Sequence, residues 1–364
     1  MAQNYEIEIQ AQASIYGSKD RTIKVYFSEP QKGADKDTGL LLILAGYGGS
    51  ATSNIYTKMR QQFADEYNLF TVQCDYFGYE FMQNIPADEI TDEMIKETLS
   101  NAELDLLRRE YDKYVHILNG KIFFQHIKLN ESSDDFNDMG LMQMIDNLRA
   151  LKVVIDIVME NGYTISPDRV YAYGFSHGAY LAYLCNAFCN NLFTGIIDNS
   201  SYLIPYYLNH SRDTAIVKDG IRIDQIYTYN ANKYIQDEEI LNLRYLYRQF
   251  KNDARIICFA GDGDFMTSLD DKKAFLSTVD NSTVDVITQK RVDMRCFKSN
   301  AHGLEADFIE LFKYAYDKYF DQSPKKEKKR RFIEYKDTFF DSSSFHYEVK
   351  WEEGIPILYR KKVR

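Results

Sequence analysis

A single short stretch, YAYGFSHGAYLAY, places a serine between two glycines where two different sequence patterns meet. Val170–Tyr173 is rich in apolar and aromatic residues, which predicts a short strand, and the residues after the glycines are rich in Ala and Leu, which favours a helix. A serine at the tip of such a turn needs small neighbours two positions on either side, and Gly174 and Gly178 supply them. The stretch therefore predicts a strained strand-to-helix turn that presents Ser176, and the helix N-terminus favours negative charge there.

Other apolar runs have the character of strands that are buried on both faces. Leu40–Leu44 leads into the glycine loop LAGYGGS, and Leu69–Cys74 leads into a loop with an aspartate and a glycine. Later strands are predicted in FTGIIDNSS, ARIICFAGDGDF and VDVITQKRV. Apolar residues between Phe136 and Met159 keep helical spacing. Strands that alternate with helices predict an α/β chain with a doubly wound, mostly parallel sheet.

Two insertions interrupt this alternation. Residues 80–135 are charged and favour helices without a clean strand, and residues 205–253 are rich in tyrosine and asparagine. We predict that both form a lid on a core of about residues 20–320, within a single domain that spans residues 1–364. The tyrosines of the second insertion could stack on sugar rings or could pack within the lid.

Both ends of the chain carry β patterns. Alternating residues at Tyr5–Gln10 and Thr22–Phe27 predict an N-terminal hairpin. The C-terminal tail, residues 332–364, has candidate strands near Tyr347–Trp351 and Ile355–Tyr359. We expect the two ends to form a small terminal β element.

Charge and hydropathy argue against several classes of partner. The formal net charge of −10 would repel phosphates, so we expect no nucleic-acid partner. No run approaches the ~18 apolar residues of a membrane helix, and we expect no membrane partner. The basic run Lys325–Arg331 is predicted to be a solvated linker.

The cysteines favour a cytoplasmic location. Their number is five, and most lie in or beside apolar runs, which indicates buried reduced thiols. Cys185 and Cys189 are one helical turn apart, but no further ligands at matching spacing accompany them. We therefore expect neither a metal nor another cofactor.

A nucleophilic serine needs a base and an acid, in the chain order serine, acid, histidine. Of six histidines, His302 in SNAHGLEADF follows the last candidate strand and is the expected base. His177 would point away from the reacting atoms, into a pocket wall or the surface. FAGDGDF supplies Asp262 and Asp264, and IIDNS supplies Asp198. We favour Asp264 as the acid, because a glycine three residues earlier lets the chain turn, and the other two aspartates remain alternatives.

Acyl transfer also needs hydrogen-bond donors for the developing oxyanion. One is expected from the backbone N–H of His177, the residue after the candidate nucleophile. The other is expected from LAGYGGS, whose glycines allow the backbone to approach a substrate closely. Tyr47 in the middle of that loop could donate its backbone N–H or its phenolic hydroxyl. A plain tight turn is the alternative interpretation of the loop.

Five pieces in order resemble the α/β-hydrolase superfamily over about residues 20–320: LLLILAGYGGS, VQCDYFGYEF, SPDRVYAYGFSHGAYLA, FAGDGDF and NAHG. GYGGS and SPDRVYAYGFSHG resemble the prolyl-oligopeptidase and related esterase branch. In that branch a loop tyrosine donates its hydroxyl to the oxyanion, a role that the resemblance assigns to Tyr47. The chain departs from the large oligopeptidases because it has no room for their propeller, and Ala179 stands where a second glycine is common.

The segment DFNDMGLMQMIDNLRALK is also similar to an uncharacterised family of hydrolase-like proteins of Campylobacter-type bacteria, often found near flagellar-glycan genes.

These patterns predict a serine hydrolase that cleaves an ester or amide of a small acylated molecule or glycan through an acyl-enzyme. An acyltransferase would use the same triad and remains an alternative, as does a non-catalytic binding protein on a hydrolase fold. A membrane lipase is disfavoured because no broad apolar lid or anchor is visible.

Overall fold

The structure is a computed structural model of the 364-residue chain, and it describes residues 1–86, 90–109, 114–218, 220–321, 330 and 332–363. The strands are β1 (Gln3–Gln10), β2 (Thr22–Glu29), β3 (Gly39–Leu44), β4 (Leu69–Cys74), β5 (Ile122–Ile127), β6 (Val170–Phe175), β7 (Gly195–Asn199), β8 (Arg212–Lys218), β9 (Ile221–Tyr227), β10 (Arg255–Gly261), β11 (Ser282–Ile287), β12 (Thr338–Asp341), β13 (Phe345–Glu352) and β14 (Ile355–Lys362). The α-helices are α1 (Asn54–Tyr67), α2 (Asp92–Thr98), α3 (Asn101–Arg109), α4 (Tyr114–Leu118), α5 (Leu141–Glu160), α6 (His177–Phe188), α7 (Ala231–Tyr234), α8 (Leu243–Leu246), α9 (Leu269–Leu276) and α10 (Phe308–Ala315).

A central sheet with helices on both faces organises the chain. Its strands lie in the order β1-β2-β4-β3-β6-β7-β10-β11, and neighbours are parallel from β4 onward. Leu40, Leu42 and Leu44 of β3 pack in one core with α5 and α6. Leu41 and Ile43 pack in the opposite core with α1 and α10. This arrangement confirms the predicted α/β class and explains why β3 is apolar throughout.

The two chain ends do not form one shared β element, which corrects that part of the prediction. The N-terminal hairpin of β1 and β2 pairs antiparallel with β4 and extends the central sheet. The C-terminal strands form a separate antiparallel sheet, β12-β13-β14, with one strand more than predicted. Arg149 of α5 donates to the backbone oxygen of Pro356 in β14 and so links this sheet to the core. Alternation in a sequence identifies a strand but not its partner.

Apart from Arg330, the basic run Lys325–Arg331 lies outside the described residues.

The two insertions share a second sheet, which we call the insertion sheet and define as β5-β9-β8. β5 comes from the first insertion and pairs in parallel with β9 of the second, from Ile122 opposite Arg222 to Ile127 opposite Tyr227. β8 pairs antiparallel with β9. The prediction that residues 80–135 contain no clean strand is therefore wrong. Their six-residue strand lies between charged segments, and its partner is about 100 residues away along the chain. The single-domain organisation and the role of the insertions as a lid stay predictions.

All five cysteines are free and buried. Burial raises the pKa of each thiol, to about 12 for Cys296. Of the helices that the structure describes, none combines the length and the hydrophobicity that crossing a membrane requires.

Candidate active site

Ser176 occupies a strained turn between β6 and α6. Its backbone has φ 51° and ψ −114°, a conformation that costs a non-glycine residue ~1–3 kcal/mol. Its N–H donates to the carbonyl of Asn199 on the neighbouring strand β7, at 2.8 Å. A Cβ on Gly174 would lie 2.4 Å from the backbone of Gly178, and a Cβ on Gly178 would lie 2.1 Å from the carbonyl oxygen of Leu44. The tight turn therefore requires glycine at both positions.

Ser176, His302 and Asp264 meet at the carboxyl ends of the parallel strands. The serine Oγ lies 2.8 Å from His302 Nε2. His302 Nδ1 lies 2.9 Å and 3.1 Å from the two carboxylate oxygens of Asp264. Oδ1 of Asp264 also accepts from the backbone N–H of Met266 at 2.8 Å, which fixes the orientation of the carboxylate. A hydroxyl, a base and a carboxylate in this order form the arrangement in which imidazole can activate a serine.

The structure places the two alternative acids elsewhere. Asp262 is exposed and accepts a hydrogen bond from the side chain of Asn300 at 2.6 Å. Asp198 is fully buried within β7. Its oxygens accept from the Tyr183 hydroxyl at 2.9 Å and from the backbone and hydroxyl of Ser201 at 2.7 and 2.8 Å. Both carboxylates thus have partners other than His302.

The loop that carries Tyr47 lies directly beside the serine. A Cβ on Gly46 would lie 3.5 Å from Ser176 Cβ and 2.6 Å from the backbone oxygen of Phe175. The Tyr47 ring packs edge-on against the ring of His177, with centroids 5.2 Å apart. Burial raises the pKa of the Tyr47 phenol well above its usual range, so the hydroxyl keeps its proton. The predicted oxyanion loop and the candidate nucleophile are therefore adjacent.

The backbone N–H and the side chain of His177 have different environments. It is the first residue of α6, so its backbone N–H belongs to the first helical turn, where N–H groups have no helical acceptor. Its side chain is completely buried, which excludes the surface alternative. Burial lowers the pKa of the imidazole to about 3, so the ring is neutral.

A chain of buried polar side chains connects His177 to Tyr47. Gln143 Nε2 donates to Asn137 Oδ1 at 2.9 Å, which leaves Gln143 Oε1 to accept from His177 Nε2 at 2.5 Å. A neutral ring protonated on Nε2 accepts the Tyr202 hydroxyl on Nδ1. Asn137 Nδ2 donates to the Tyr47 hydroxyl oxygen at 2.9 Å. All four bonds therefore point in one direction, toward the Tyr47 oxygen.

The sequence did not reveal Asn137, Gln143 or Tyr202 as members of this network. Gln143 was the available signal, because it is a polar residue within the apolar stretch that predicted the helix, and its side chain is completely buried. A buried amide needs partners for both its oxygen and its nitrogen.

Phe265 and two residues of the second insertion form a row of rings that starts beside His302. Phe265 follows Asp264 and is 74% exposed, and its ring centroid lies 6.5 Å from that of His302. The ring centroid of Tyr206, from the second insertion, lies 6.3 Å from that of Phe265. The Tyr206 ring stacks on the His210 ring, with centroids 4.3 Å apart. In the part of the chain that the structure describes, no group of three or more His, Cys, Asp or Glu side chains could hold a metal ion.

A match to a sequence-family model shows which family the chain belongs to. Residues 5–339 match the model of a family described as "Protein of unknown function (DUF2920)". The chain belongs to this family. No curated protein matches the sequence. The similarity to a family of Campylobacter-type bacteria stays a prediction.

Solved structures show the α/β-hydrolase fold. An acylaminoacyl peptidase from Pyrococcus horikoshii matches 86% of this chain and 41% of its own, with a TM-score of 0.50 and 11% identity. Est1E from Butyrivibrio proteoclasticus with bound ferulic acid matches 81% of this chain and 92% of its own, with a TM-score of 0.46 and 12% identity. Thermogutta terrifontis esterase 2 phosphonylated by sarin matches 84% of this chain and 94% of its own, with a TM-score of 0.45 and 12% identity. At this identity the similarity establishes the fold, as the sequence resemblance implied.

Proposed function

We propose that this member of the family is a serine hydrolase that cleaves an ester or an amide through an acyl-enzyme on Ser176. The observation that carries the proposal is the contact of Ser176 Oγ with His302 Nε2, at 2.8 Å, on a strained strand-to-helix turn. The contact of His302 Nδ1 with Asp264 supports it, because a carboxylate there holds the imidazole in the tautomer that can accept the serine proton. We infer a small acylated molecule or a glycan ester as the substrate class.

In the proposed mechanism His302 Nε2 takes the hydroxyl proton while Ser176 Oγ attacks the carbonyl carbon. The Asp264 carboxylate stabilises the imidazolium that forms. The backbone N–H of His177 and the hydroxyl of Tyr47 donate to the oxyanion, and each such donor contributes on the order of 10²–10³ in rate. His302 then protonates the leaving group as its bond to the carbonyl carbon breaks. In the second step His302 deprotonates a water molecule that attacks the acyl carbon, and it returns the proton to Ser176 Oγ as the acid leaves. With an alcohol or amine in place of water, the same groups would perform acyl transfer.

The test is covalent labelling with a fluorophosphonate, which reports an activated serine without knowledge of the substrate. We expect stoichiometric labelling of the wild-type protein on Ser176, as located by peptide mapping. Ser176→Ala should not label, and Ser343→Ala, which removes an exposed serine of the C-terminal tail, should label like the wild type. A folded wild-type protein that does not label would overturn the proposal and favour a non-catalytic binding protein.

A further inference from the structure

Arg212, the first residue of β8, brings a buried positive charge to the loop beside Ser176. The residue is only 5% exposed. Its guanidinium carbon lies 5.3 Å from the centroid of the Tyr47 ring and 5.1 Å from that of Tyr227. In the described part of the chain, the side-chain nitrogens of Arg212 donate to a backbone oxygen and an amide oxygen, and to no carboxylate. The charge is therefore held by aromatic faces and neutral acceptors rather than by an acid.

Two neutral acceptors fix the orientation of this guanidinium. Nη1 donates to the backbone oxygen of Met82 at 3.1 Å, and Nη2 donates to the side-chain oxygen of Asn84. Since the Asn84 oxygen accepts from Arg212, the amide nitrogen of Asn84 remains as a donor. A buried guanidinium without a counter-charge is costly, and aromatic faces offset only part of that cost.

Both donor groups lie beside one open spot at the active-site loop. A Cβ on Gly48 would lie 3.6 Å from Arg212 Nη2 and 3.6 Å from Asn84 Nδ2. Gly48 has φ +74° and is exposed, so a ligand can approach where a side chain would otherwise stand. Gly46, two residues earlier, borders Ser176, and two residues of chain span at most ~7 Å. An anionic group a few bonds from the scissile carbonyl would reach this spot.

We propose that Arg212 and Asn84 form a subsite for an anionic group of the substrate, a carboxylate or a phosphate. The inference rests on the proposed function and names the substrate class of that site. The chain has a net charge of −10, so its overall field repels anions, and a local cation is what a negatively charged substrate needs at the entrance. The guanidinium, which has only neutral hydrogen-bond acceptors among the described residues, then gains a counter-charge in the complex.

The experiment compares matched esters. 4-Nitrophenyl butyrate is neutral, and 4-nitrophenyl hydrogen succinate has a similar acyl chain that ends in a carboxylate. A second pair, 4-carbamoylphenyl acetate and 4-acetoxybenzoate, places the charge on the leaving group instead. We expect the wild type to prefer the charged member of one pair in kcat/KM, and the pair that responds locates the subsite on the acyl or the alcohol side.

The preference should depend on Arg212. Arg212→Met should lower kcat/KM for the preferred anionic ester roughly 10- to 100-fold and change the neutral ester less than about threefold. Arg212→Lys should retain part of the preference, because a point charge lacks the fork of donors. The matched control is Arg222→Met, whose guanidinium lies on the exposed face of the same sheet in a pair with Asp224 at 2.7 Å, and it should leave the preference unchanged.

Distinct results separate this inference from the proposed function. A wild type that labels with fluorophosphonate but prefers neither charged ester overturns the anionic subsite alone. Equal losses on both members of a pair in Arg212→Met assign the arginine a structural role and also overturn it. If Arg212→Met does not fold, Asn84→Ala decides, since its side chain is exposed and its loss should reduce the preference severalfold. An unchanged preference in Asn84→Ala would then reject the subsite.

Discussion

Asn137 donates a hydrogen bond to the hydroxyl oxygen of Tyr47 at 2.9 Å, so the phenol is the acceptor in this bond and its proton is not used by it. With its oxygen engaged by this donor and its pKa raised by burial, the phenol has its own proton left to give. Among the described residues, no acceptor for that proton lies in hydrogen-bonding geometry. The Tyr47 hydroxyl is thus prepared as a donor, which is the role that an oxyanion requires.

Tyr47→Phe should lower kcat by about 10²–10³ on any ester that the wild type hydrolyses, with little change in KM, because the donor acts on charge that develops in the transition state. The variant keeps the ring and the backbone N–H. Steady-state kinetics with 4-nitrophenyl butyrate measure the effect. A kcat within about twofold of wild type would remove the hydroxyl from the mechanism and leave the backbone N–H of Tyr47 as the second donor.

Asn137→Ala should reduce kcat by a smaller factor, about 10-fold, because the phenol remains but its orientation is no longer fixed. Asn137 is a positioning residue, so its effect should vanish when Tyr47 is already Phe. A double-mutant cycle with Tyr47→Phe measures this coupling. Additive losses in the double variant would show that Asn137 acts through general stability rather than through Tyr47.

Asp264→Asn should lower kcat by about 10³–10⁴, since an amide can favour the wrong tautomer of His302. Asp262→Asn, two residues away, should stay within about twofold of wild type, because its carboxylate is exposed and bonded to Asn300. Kinetics of both variants discriminate the candidate acids. The reverse result, a large loss only in Asp262→Asn, would assign the acid to that position.

The buried imidazole of His177 should make stability depend on pH. Its pKa falls to about 3 in the folded chain against about 6.5 in the unfolded chain, so below pH 6.5 the unfolded state binds the additional proton. As the pH falls from 6 to roughly 3, this group should therefore lower the free energy of unfolding by about 1.4 kcal/mol per pH unit. Above pH 6.5 its contribution is constant.

The measurement is urea unfolding at pH 7.5 and pH 5 for wild type and His177→Gln. Asp138, buried with its pKa raised to about 7, acts in the opposite direction over part of this range, and the comparison between the two proteins cancels it. Wild type should lose about 2 kcal/mol more than His177→Gln on acidification. Equal losses in the two proteins would show that the ring is charged, or exposed to solvent, in the folded state.

The central sheet could be predicted because its signals are local. β3 is buried on both faces, and the run of five apolar residues Leu40–Leu44, which leads into a glycine loop, has few other interpretations. The turn at Ser176 was equally visible, since its geometry permits only glycine at positions 174 and 178. Steric requirements of this kind leave a trace in a single sequence.

The pairing within the insertion sheet and the hydrogen bonds that connect His177 to Tyr47 have no comparable local signal in the sequence. β5 and β9 pair across about 100 residues, and nothing in KIFFQHIKL states which strand it joins. Asn137 and Gln143 are common surface residues, and only the fold shows that both are buried and bonded to each other. The alternating pattern predicts the N-terminal hairpin, but the attachment of the hairpin to β4 depends on contacts that no local pattern specifies.

The parallel pairing of β5 with β9 also has a mechanical consequence. Six consecutive register pairs, Ile122–Ile127 against 222–227, bind the two insertions to each other. Each insertion is anchored in the core at its own ends, so the pair forms a closed loop of chain rather than two independent flaps. A swing of either segment alone would break a row of backbone hydrogen bonds, whereas a joint rotation would keep them. A displacement of one insertion would therefore be transmitted to the other, and we expect substitutions in the two segments to be selected together.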